Sequence, residues 1–400
     1  MNVEQEILKS KKHFTLRDKK FILSLLSVDG VGRKTAKKII YLLIKHELDF
    51  EQFWVNKFDI WQKCRLSQKS IISIKKVKNE HNNYSLYNEI INKGIRVLVF
   101  WEKEYPLLLK QCDDFPVILF AKGDIDCLQN DAVGIVGTRR ITNYGRMATK
   151  KIVESLVLEG FSIVSGFMYG VDICAHLETI ANSGNTIAVL GFGFDYMYPR
   201  GHEKYFDKII DSGGCFITEY LPDVCPVAGN FPSRNRIVAG MSKGVVVIEA
   251  AKKSGSHITA ECAINEGREV FAVPGPINNP FSEGTKWLIN QGATMITSGN
   301  DVIEQLRGSY KMSGTVRASD SSISLSSNLS VTQLNFPKLP DNLGKIQKLI
   351  IKELRGGSQT IDFLVETIEV EVAEITKEIT LLEISDIVSM EGNKLCLKYV

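Results

Sequence analysis

The chain has 400 residues, a length that accommodates roughly two to four domains of ordinary size. Hydrophobic residues make up 44% and charged residues 24%, which excludes a wholly disordered chain, and the formal net charge is only +3. No run of about 18 apolar residues occurs and residues 1–12 are polar, so we expect no membrane span, no secretory signal and a cytoplasmic location.

The charge is distributed unevenly along the chain. Residues 9–45 carry eleven lysines and arginines against two acids, whereas residues 341–400 carry seven basic residues against eleven acids. The first segment suits a polyanionic partner, and the last segment does not.

Residues 1–95 are predicted to form a helical domain, because apolar residues recur at spacings of three and four. Within it, Gly30 and Gly32 precede a basic amphipathic helix that contains Lys34, Lys37 and Lys38. This pattern resembles a helix–hairpin–helix (SAM-like) element, in which glycines let the backbone approach phosphates. Two interpretations are open: the hairpin makes peripheral phosphate contacts, or it is a purely structural turn.

Residues 96–307 are predicted to form an α/β domain with a Rossmann-like, doubly wound and mostly parallel sheet. Helical stretches alternate with short apolar runs, and these runs are continuous, as in strands buried on both faces. The predicted strands are 97–100, 132–136, 162–164, 186–190, 215–218, 245–248 and 269–272. The helices between them supply the crossover connections.

The remaining residues are predicted to form a linker and a small terminal domain. Residues 308–342 are rich in serine and contain two prolines, which indicates a flexible linker. Residues 343–400 contain three helical stretches, 343–354, 361–367 and 372–382, and a hairpin-like pair around Gly392. This order resembles a winged helix.

Loops of small residues follow four of the predicted strands. The residues in question are Gly137, Thr138, Ser165, Gly166, Gly191, Gly193, Lys253, Ser254, Gly255 and Ser256. The carboxyl ends of parallel strands meet at one edge of a sheet, and the helices that follow offer N–H groups and a positive dipole end to a phosphate. Four such loops on one edge predict a phosphate-binding surface.

These loops match no common nucleotide-binding fingerprint. Residues 134–137 lack the third glycine of GxGxxG, and GxxxxGK[ST] does not occur. Arginines accompany the loops instead, and the guanidinium group binds phosphates in a bidentate manner. They are Arg139, Arg140, Arg200, Arg234 and Arg236. For each arginine the alternative is a salt bridge at the domain edge. For Phe167, Tyr169 and Phe231 the alternatives are base stacking or packing.

Residues 98–306 resemble the DNA-processing protein A family (DprA, also called Smf), the recombination mediators of natural transformation. The segments that carry the resemblance are 137–139, 165–166, 170–172, 186–191, 198–199, 230–240, 253–256 and 267–275. Met168 and Tyr169 depart from the family pattern, which usually has alanine and often a basic residue there, and His202 stands where asparagine is usual. These departures leave the fine geometry of binding open.

The resemblance implies binding and protection of single-stranded DNA, its delivery to the recombinase RecA, and homodimerisation through the Rossmann-like domain. It implies no catalytic activity, no cofactor and no metal. The residues expected to bind DNA are Arg139, Arg140, Ser165, Gly166, Arg234, Asn235, Arg236, Lys253, Ser254, Gly255 and Ser256. Asn235 has a second interpretation, because it can also cap a helix.

The rival hypothesis is a nucleotide-processing enzyme similar to the phosphoribohydrolases of the same fold. Its candidate acid–base groups are Glu249, at a strand end, and Asp172 with His176, four residues apart on one helix face. The PGGxGTxxE loop of those enzymes is absent, and a capping Asp172 with an interior His176 is the simpler interpretation. The eight cysteines form no CxxC pair or Cys/His cluster, so we expect neither a zinc site nor a disulfide framework.

Overall fold

The computed structural model describes residues 14–79 and 83–311 and, toward the C-terminus, 344–354, 359–368, 370, 372–385, 388–391 and 394–397. The chain divides into two compact units, residues 1–316 and 317–400. The predicted boundary near residue 95 lies inside the first unit, where Phe21 and Phe100 belong to one continuous apolar core. The predicted linker lies outside the described residues except for 308–311, which are helical. No described helix is long and apolar enough to cross a membrane.

The N-terminal part of the first unit is helical. Its helices are α1 (Leu16–Leu26), α2 (Arg33–Lys45), α3 (Ile60–Lys63), α4 (Gln68–Asn79) and α5 (Asn83–Asn92). Helix α1 begins at a capping box, in which the Thr15 N–H donates to the Asp18 carboxylate at 2.8 Å and the Thr15 hydroxyl accepts from the Asp18 N–H. Gly30, between α1 and α2, has φ of +80°, and a Cβ there would meet the Ser70 hydroxyl.

A nine-stranded sheet follows, in the order β1-β2-β6-β5-β4-β3-β7-β8-β9. The strands are β1 (Arg96–Val99), β2 (Ile118–Gly123), β3 (Ala132–Val136), β4 (Ser162–Ser165), β5 (Thr186–Val189), β6 (Cys215–Thr218), β7 (Gly244–Val247), β8 (Glu269–Ala272) and β9 (Thr294–Met295). The seven predicted strands are present, each within one residue at either end, whereas β2 and β9 were not predicted. Strand β2 pairs antiparallel with both β1 and β6, and all other neighbouring strands of this sheet pair parallel.

Helices pack on both faces of the sheet and bury it. They are α6 (Leu107–Lys110), α7 (Asn143–Leu158), α8 (Val171–Ala181), α9 (Glu203–Asp211), α10 (Asn230–Met241), α11 (Gly255–Asn265), α12 (Glu283–Asn290) and α13 (Gly299–Lys311). On one face Ile152 of α7 packs with Val133 of β3, and on the other Val238 of α10 packs with Val245 of β7. This two-sided burial explains the continuous apolar strands and confirms the predicted mostly parallel α/β class.

The direction of winding reverses at β3. From β3 the chain proceeds to β4, β5 and β6 on one side, and then crosses to β7 and β8 on the other side. In open α/β sheets a crevice forms outside the carboxyl ends of the strands at such a reversal. Because β3 and β7 are parallel neighbours, the residues after Val136 and Val247 are brought to one place.

The described residues of the second unit form three helices and a three-stranded antiparallel sheet, whose strand order is β10-β12-β11. Its elements are α14 (Lys345–Leu354), β10 (Gln359–Thr360), α15 (Ile361–Ile368), α16 (Val372–Ile384), β11 (Val388–Glu391) and β12 (Lys394–Leu397). Ile350, Leu364 and Ile379 belong to its apolar core. The winged-helix assignment of this unit and the helix–hairpin–helix assignment of the N-terminal part remain predictions.

Candidate nucleic-acid interface

A cleft of about 530 Å³ opens where the sheet reverses, at the carboxyl ends of β3, β4 and β7. Eight of the eleven residues expected to bind DNA line it, namely Arg139, Gly166, Arg234, Asn235, Lys253, Ser254, Gly255 and Ser256. The other three, Arg140, Ser165 and Arg236, lie outside its lining. The fold therefore collects loops that are far apart in the sequence around one cavity.

Arg139 is an exposed cation at the rim of the cleft. Its loop is held by two main-chain hydrogen bonds: the Thr138 N–H donates to the Glu249 carbonyl at 2.7 Å, and the Val171 N–H donates to the Thr138 carbonyl at 3.1 Å. Gly170 packs directly on this loop, since a Cβ there would lie 2.6 Å from the carbonyl carbon of Arg139. A fixed backbone with an exposed guanidinium is suited to bidentate binding of a phosphate.

The start of helix α11 forms another part of the cleft wall. The Ser254 hydroxyl accepts a hydrogen bond from the Ser256 N–H at 3.3 Å and caps the helix, and the exposed Lys253 precedes it. Apart from the two chain neighbours of Gly255 and the backbone of its own helix, no described atom lies within 4 Å of the position that a Cβ would take there. The positive end of the α11 dipole and the Lys253 ammonium therefore act on the same cavity.

Arg234, one of the residues expected to bind DNA, lines the cleft but is buried. It is 2% exposed, and its Nη1 donates to the Gly166 carbonyl at 2.6 Å and to the Val189 carbonyl. Its Nε donates to the Asn235 side-chain oxygen at 3.2 Å. The side chain thus joins α10 to the ends of β4 and β5 and forms the floor of the cleft.

The Asp172 carboxylate and the Arg234 guanidinium both lie directly next to Gly166. A Cβ at Gly166 would stand 2.6 Å from the Asp172 Oδ2 and would also overlap the Arg234 guanidinium, so only glycine fits between them. Burial raises the pKa of Asp172 to about 6, although the Arg234 charge and the hydrogen bond from the Met168 N–H act in the opposite direction. Burial also lowers the pKa of Arg234 to about 10, and this group stays charged at neutral pH.

The three expected residues outside the cleft lining have other positions. Ser165 is buried, and its hydroxyl donates to a main-chain carbonyl of β3 at 2.6 Å. Arg236 is paired with Asp114 at 3.0 Å and with Glu219 at 2.5 Å, so the salt-bridge alternative describes this arginine. Arg140 is exposed, next to the rim residue Arg139.

Aromatic side chains line the cleft as well. The ring centroids of Tyr198 and Phe231 lie 5.4 Å apart, and both residues are half-buried. Sequence reasoning considered Phe231 and missed Tyr198, although the Tyr198–Pro199 pair belongs to the resemblance. Phe167 is fully buried in the interior, and Tyr169 lies outside the lining with its hydroxyl donating to the Arg200 carbonyl at 2.7 Å.

The acid–base candidates are engaged in the fold. The Glu249 carboxylate accepts hydrogen bonds from the Thr142 N–H (2.9 Å), the Thr142 hydroxyl (2.6 Å) and the Asn279 amide (3.0 Å). His176 is buried with its Nδ1 2.6 Å from the Thr186 hydroxyl, and burial lowers its pKa to about 3. Within the described ranges, no group of His, Cys, Asp and Glu side chains could hold a metal ion.

The family model described as DNA recombination-mediator protein A matches residues 96–307, more than half of the chain. The chain belongs to this family. The matched region begins at β1 and ends within α13, so it includes the whole sheet and every loop of the cleft.

Relatives of this family member extend the similarity beyond the central domain. Protein Smf of Escherichia coli is 38% identical over 270 residues, which cover 67% of this chain and 71% of that protein. Protein Smf of Synechocystis sp. is 31% identical over 391 residues, which cover 92% and 96%. The X-ray structure of DNA processing protein A (DprA) from Streptococcus pneumoniae matches with a TM-score of 0.63 at 32% identity, covering 74% of this chain and 99% of that chain.

Proposed function

We propose that this family member binds single-stranded DNA in the cleft at the ends of β3, β4 and β7. The observation that carries the proposal is the convergence of two exposed cations, Arg139 after β3 and Lys253 after β7, on a cavity whose wall includes the start of α11. Cationic side chains and a helix dipole attract the phosphodiester backbone and do not read the base sequence.

The aromatic lining favours a single strand over a duplex. Tyr198 and Phe231 present rings to the cleft, and unstacked bases gain about 1–3 kcal/mol each by stacking on such rings. In a duplex the bases are already stacked on one another, so these rings would contribute little. The acidic balance of residues 341–400 likewise gives the tail no net positive charge with which to bind duplex DNA.

We further propose that this protein acts as a non-enzymatic cytoplasmic mediator that protects the strand and delivers it to the recombinase RecA. The family description supports the mediator role, and the resemblance in sequence suggests RecA and a homodimer through the Rossmann-like domain. Among the described strands β9 ends the sheet and pairs only with β8, and the apolar residues Ile277, Trp287 and Met295 are exposed in this part of the domain. These features suit a protein partner.

The rival function, a nucleotide-processing enzyme, requires a base that can approach its substrate. The Glu249 carboxylate accepts three hydrogen bonds from other groups of the fold. His176 is buried, and because burial lowers its pKa, the side chain is neutral. Neither residue lines the cleft. The third candidate, Asp172, does line it, but this carboxylate is buried beside the Arg234 guanidinium and accepts a hydrogen bond from the Met168 N–H at 3.3 Å. The geometry therefore favours binding without catalysis.

Titration of the full chain with a fluorescent single strand, and with a duplex of the same sequence, tests the proposal. We expect tighter binding of the single strand and a linear fall of log K with log salt concentration. Equal affinity for both forms at every salt concentration would contradict it. Release of free base from nucleoside monophosphates would support the enzyme instead.

A further inference from the structure

The N-terminal helical part carries an excess of positive charge that the cleft does not use. Residues 14–79 contain 15 lysines and arginines against 6 acids, a net charge of +9, whereas the whole chain carries +3. None of these residues lines the cleft. A surface with this charge raises the local concentration of a polyanion.

Helix α2 divides its basic residues between two faces. Arg33 and Lys37 face the central domain, where Asp114 lies 3.1 Å from the first and 3.2 Å from the second. Burial alone would raise the pKa of Asp114, but the charges of Arg236, Lys37 and Arg33 hold it below its usual value. Lys37 is 3% exposed, so it belongs to this internal contact and is not one of the peripheral phosphate contacts considered from the sequence.

The other face of α2 is exposed to solvent. Lys34, Lys38 and Lys45 are all exposed, and their spacings of four and seven residues place them on one side of the helix. Among the residues that the structure describes, Lys34 and Lys38 form no ion pair. The helix rises about 16 Å from Lys34 to Lys45. We refer to these three residues as the basic stripe.

Tertiary contacts place the start of α2 near the cleft. The Arg33 Nη1 lies 3.9 Å from Glu219, which follows β6 at the same edge of the sheet as the cleft. Glu219 is also paired with Arg236 at 2.5 Å. Arg236 is adjacent on α10 to Asn235, which lines the cleft. Only the width of helix α10 therefore separates the start of α2 from the cleft.

We propose that the basic stripe binds the phosphodiester backbone of the same single strand after it leaves the cleft. The inference rests on the proposed function, because the strand must first occupy the cleft. A lysine ammonium is a compact point charge that contacts phosphates and not base edges. These contacts therefore increase the affinity and the number of nucleotides bound, and they add no preference for particular bases. Helix α2 then acts as an extension of the DNA site.

The test compares two lengths of oligothymidine, about 6 and about 30 nucleotides, chosen because single-strand sites span about 4–16 nucleotides. The full chain carrying Lys34→Ala and Lys38→Ala is titrated with each at several salt concentrations. We expect its affinity for the longer strand to fall severalfold and the salt slope to decrease by about 1.4, the value for two lost phosphate contacts. Affinity for the shorter strand should equal that of the wild type.

A matched control removes the same charge from the opposite edge of the sheet. Lys243 and Arg307 pair with Asp131 and Glu159 there, and the Lys243→Ala/Arg307→Ala variant should leave the salt slope unchanged. Thermal melts confirm that both variants fold. An unchanged affinity for the longer strand, an equal loss for both lengths, or an equal loss in the control would overturn the inference. Those three results would leave the proposed function intact. If the wild-type chain bound neither oligothymidine, the proposed function itself would be overturned.

Discussion

The guanidinium of Arg234 donates a hydrogen bond of 2.6 Å to the carbonyl oxygen of Gly166, which ties helix α10 to the loop after β4. The same nitrogen donates to the Val189 carbonyl at the end of β5. Because this side chain is buried, its donors serve the backbone of the cleft floor. The exposed charge at the rim comes from Arg139 instead. The two arginines therefore have separable effects on stability and on DNA binding.

Replacing Arg139 by alanine should weaken single-strand binding by about 1–3 kcal/mol and lower the salt slope by about 0.7, because one phosphate contact is lost. The melting temperature should stay close to that of the wild type, since the side chain is exposed. Arg140→Ala is the matched control, an exposed neighbour outside the cleft lining, and should have a smaller effect. Equal losses of single-strand affinity in the two variants would show that binding depends on the net positive charge of this loop and not on the position of Arg139.

Arg234→Lys should lower the melting temperature while leaving the salt slope at its wild-type value. An ammonium group cannot reproduce the planar set of donors that reaches Gly166, Val189 and Asn235. Arg234→Ala should lower the unfolding free energy further, by about 1–3 kcal/mol, because the buried Gly166 and Val189 carbonyls lose their hydrogen-bond donor. A normal melt together with a reduced salt slope would mean that Arg234 contacts phosphate after all.

Two glycines of the cleft should respond differently to alanine. At Gly255 there is room for a Cβ, so Gly255→Ala should keep the wild-type melting temperature and weaken DNA binding by narrowing the approach to the start of α11. At Gly166 the added Cβ would collide with Asp172 and Arg234, so Gly166→Ala should destabilise the fold itself. Melting curves and strand titrations of both variants separate these effects, and a destabilised Gly255→Ala would contradict the first expectation.

Acidification should destabilise the protein partly through His176. Its pKa is lowered from 6.5 to about 3 by burial, so the unfolded chain takes up a proton below pH 6.5 while the folded chain does not. Stability is therefore lost as the pH falls from about 6.5 toward 3, by about 2 kcal/mol at pH 5 from this group. Urea denaturation at pH 7 and pH 5 measures how much unfolding free energy is lost on acidification. This loss should be about 2 kcal/mol smaller in His176→Gln than in the wild type. Equal losses in the two proteins would assign the pH dependence to other groups.

Deletion of residues 343–400 should leave single-strand binding largely intact. The cleft lies entirely within the first compact unit, and the deleted segment has more acids than basic residues. Titration of the shortened chain should give an affinity within about tenfold of the full chain, that is, within about 1.4 kcal/mol. A larger loss would place part of the DNA site in the C-terminal unit.

Local pattern accounts for most of the sheet. Strands β3, β6 and β8 begin and end at the predicted residues, because each is a short apolar run bounded by turn-forming or polar residues. The run at 118–123 was not assigned to a strand. Strand β2 there pairs antiparallel with β1 and β6, and its pairing with β6 joins segments far apart in the sequence. Such pairing leaves no periodic signal in the run itself.

The loops of the cleft also follow from the sequence, since Gly137, Gly166 and Gly255 each come shortly after a predicted strand and parallel strands end at one edge. The orientation of the arginines does not follow from it. Arg234 and Arg236 are two residues apart on α10 and therefore point about 200° apart around the helix. Their partners Gly166 and Asp114 lie 68 and 122 residues away. Whether a cation is buried or exposed depends on which distant segment packs against it, and that is settled only when the whole chain has folded.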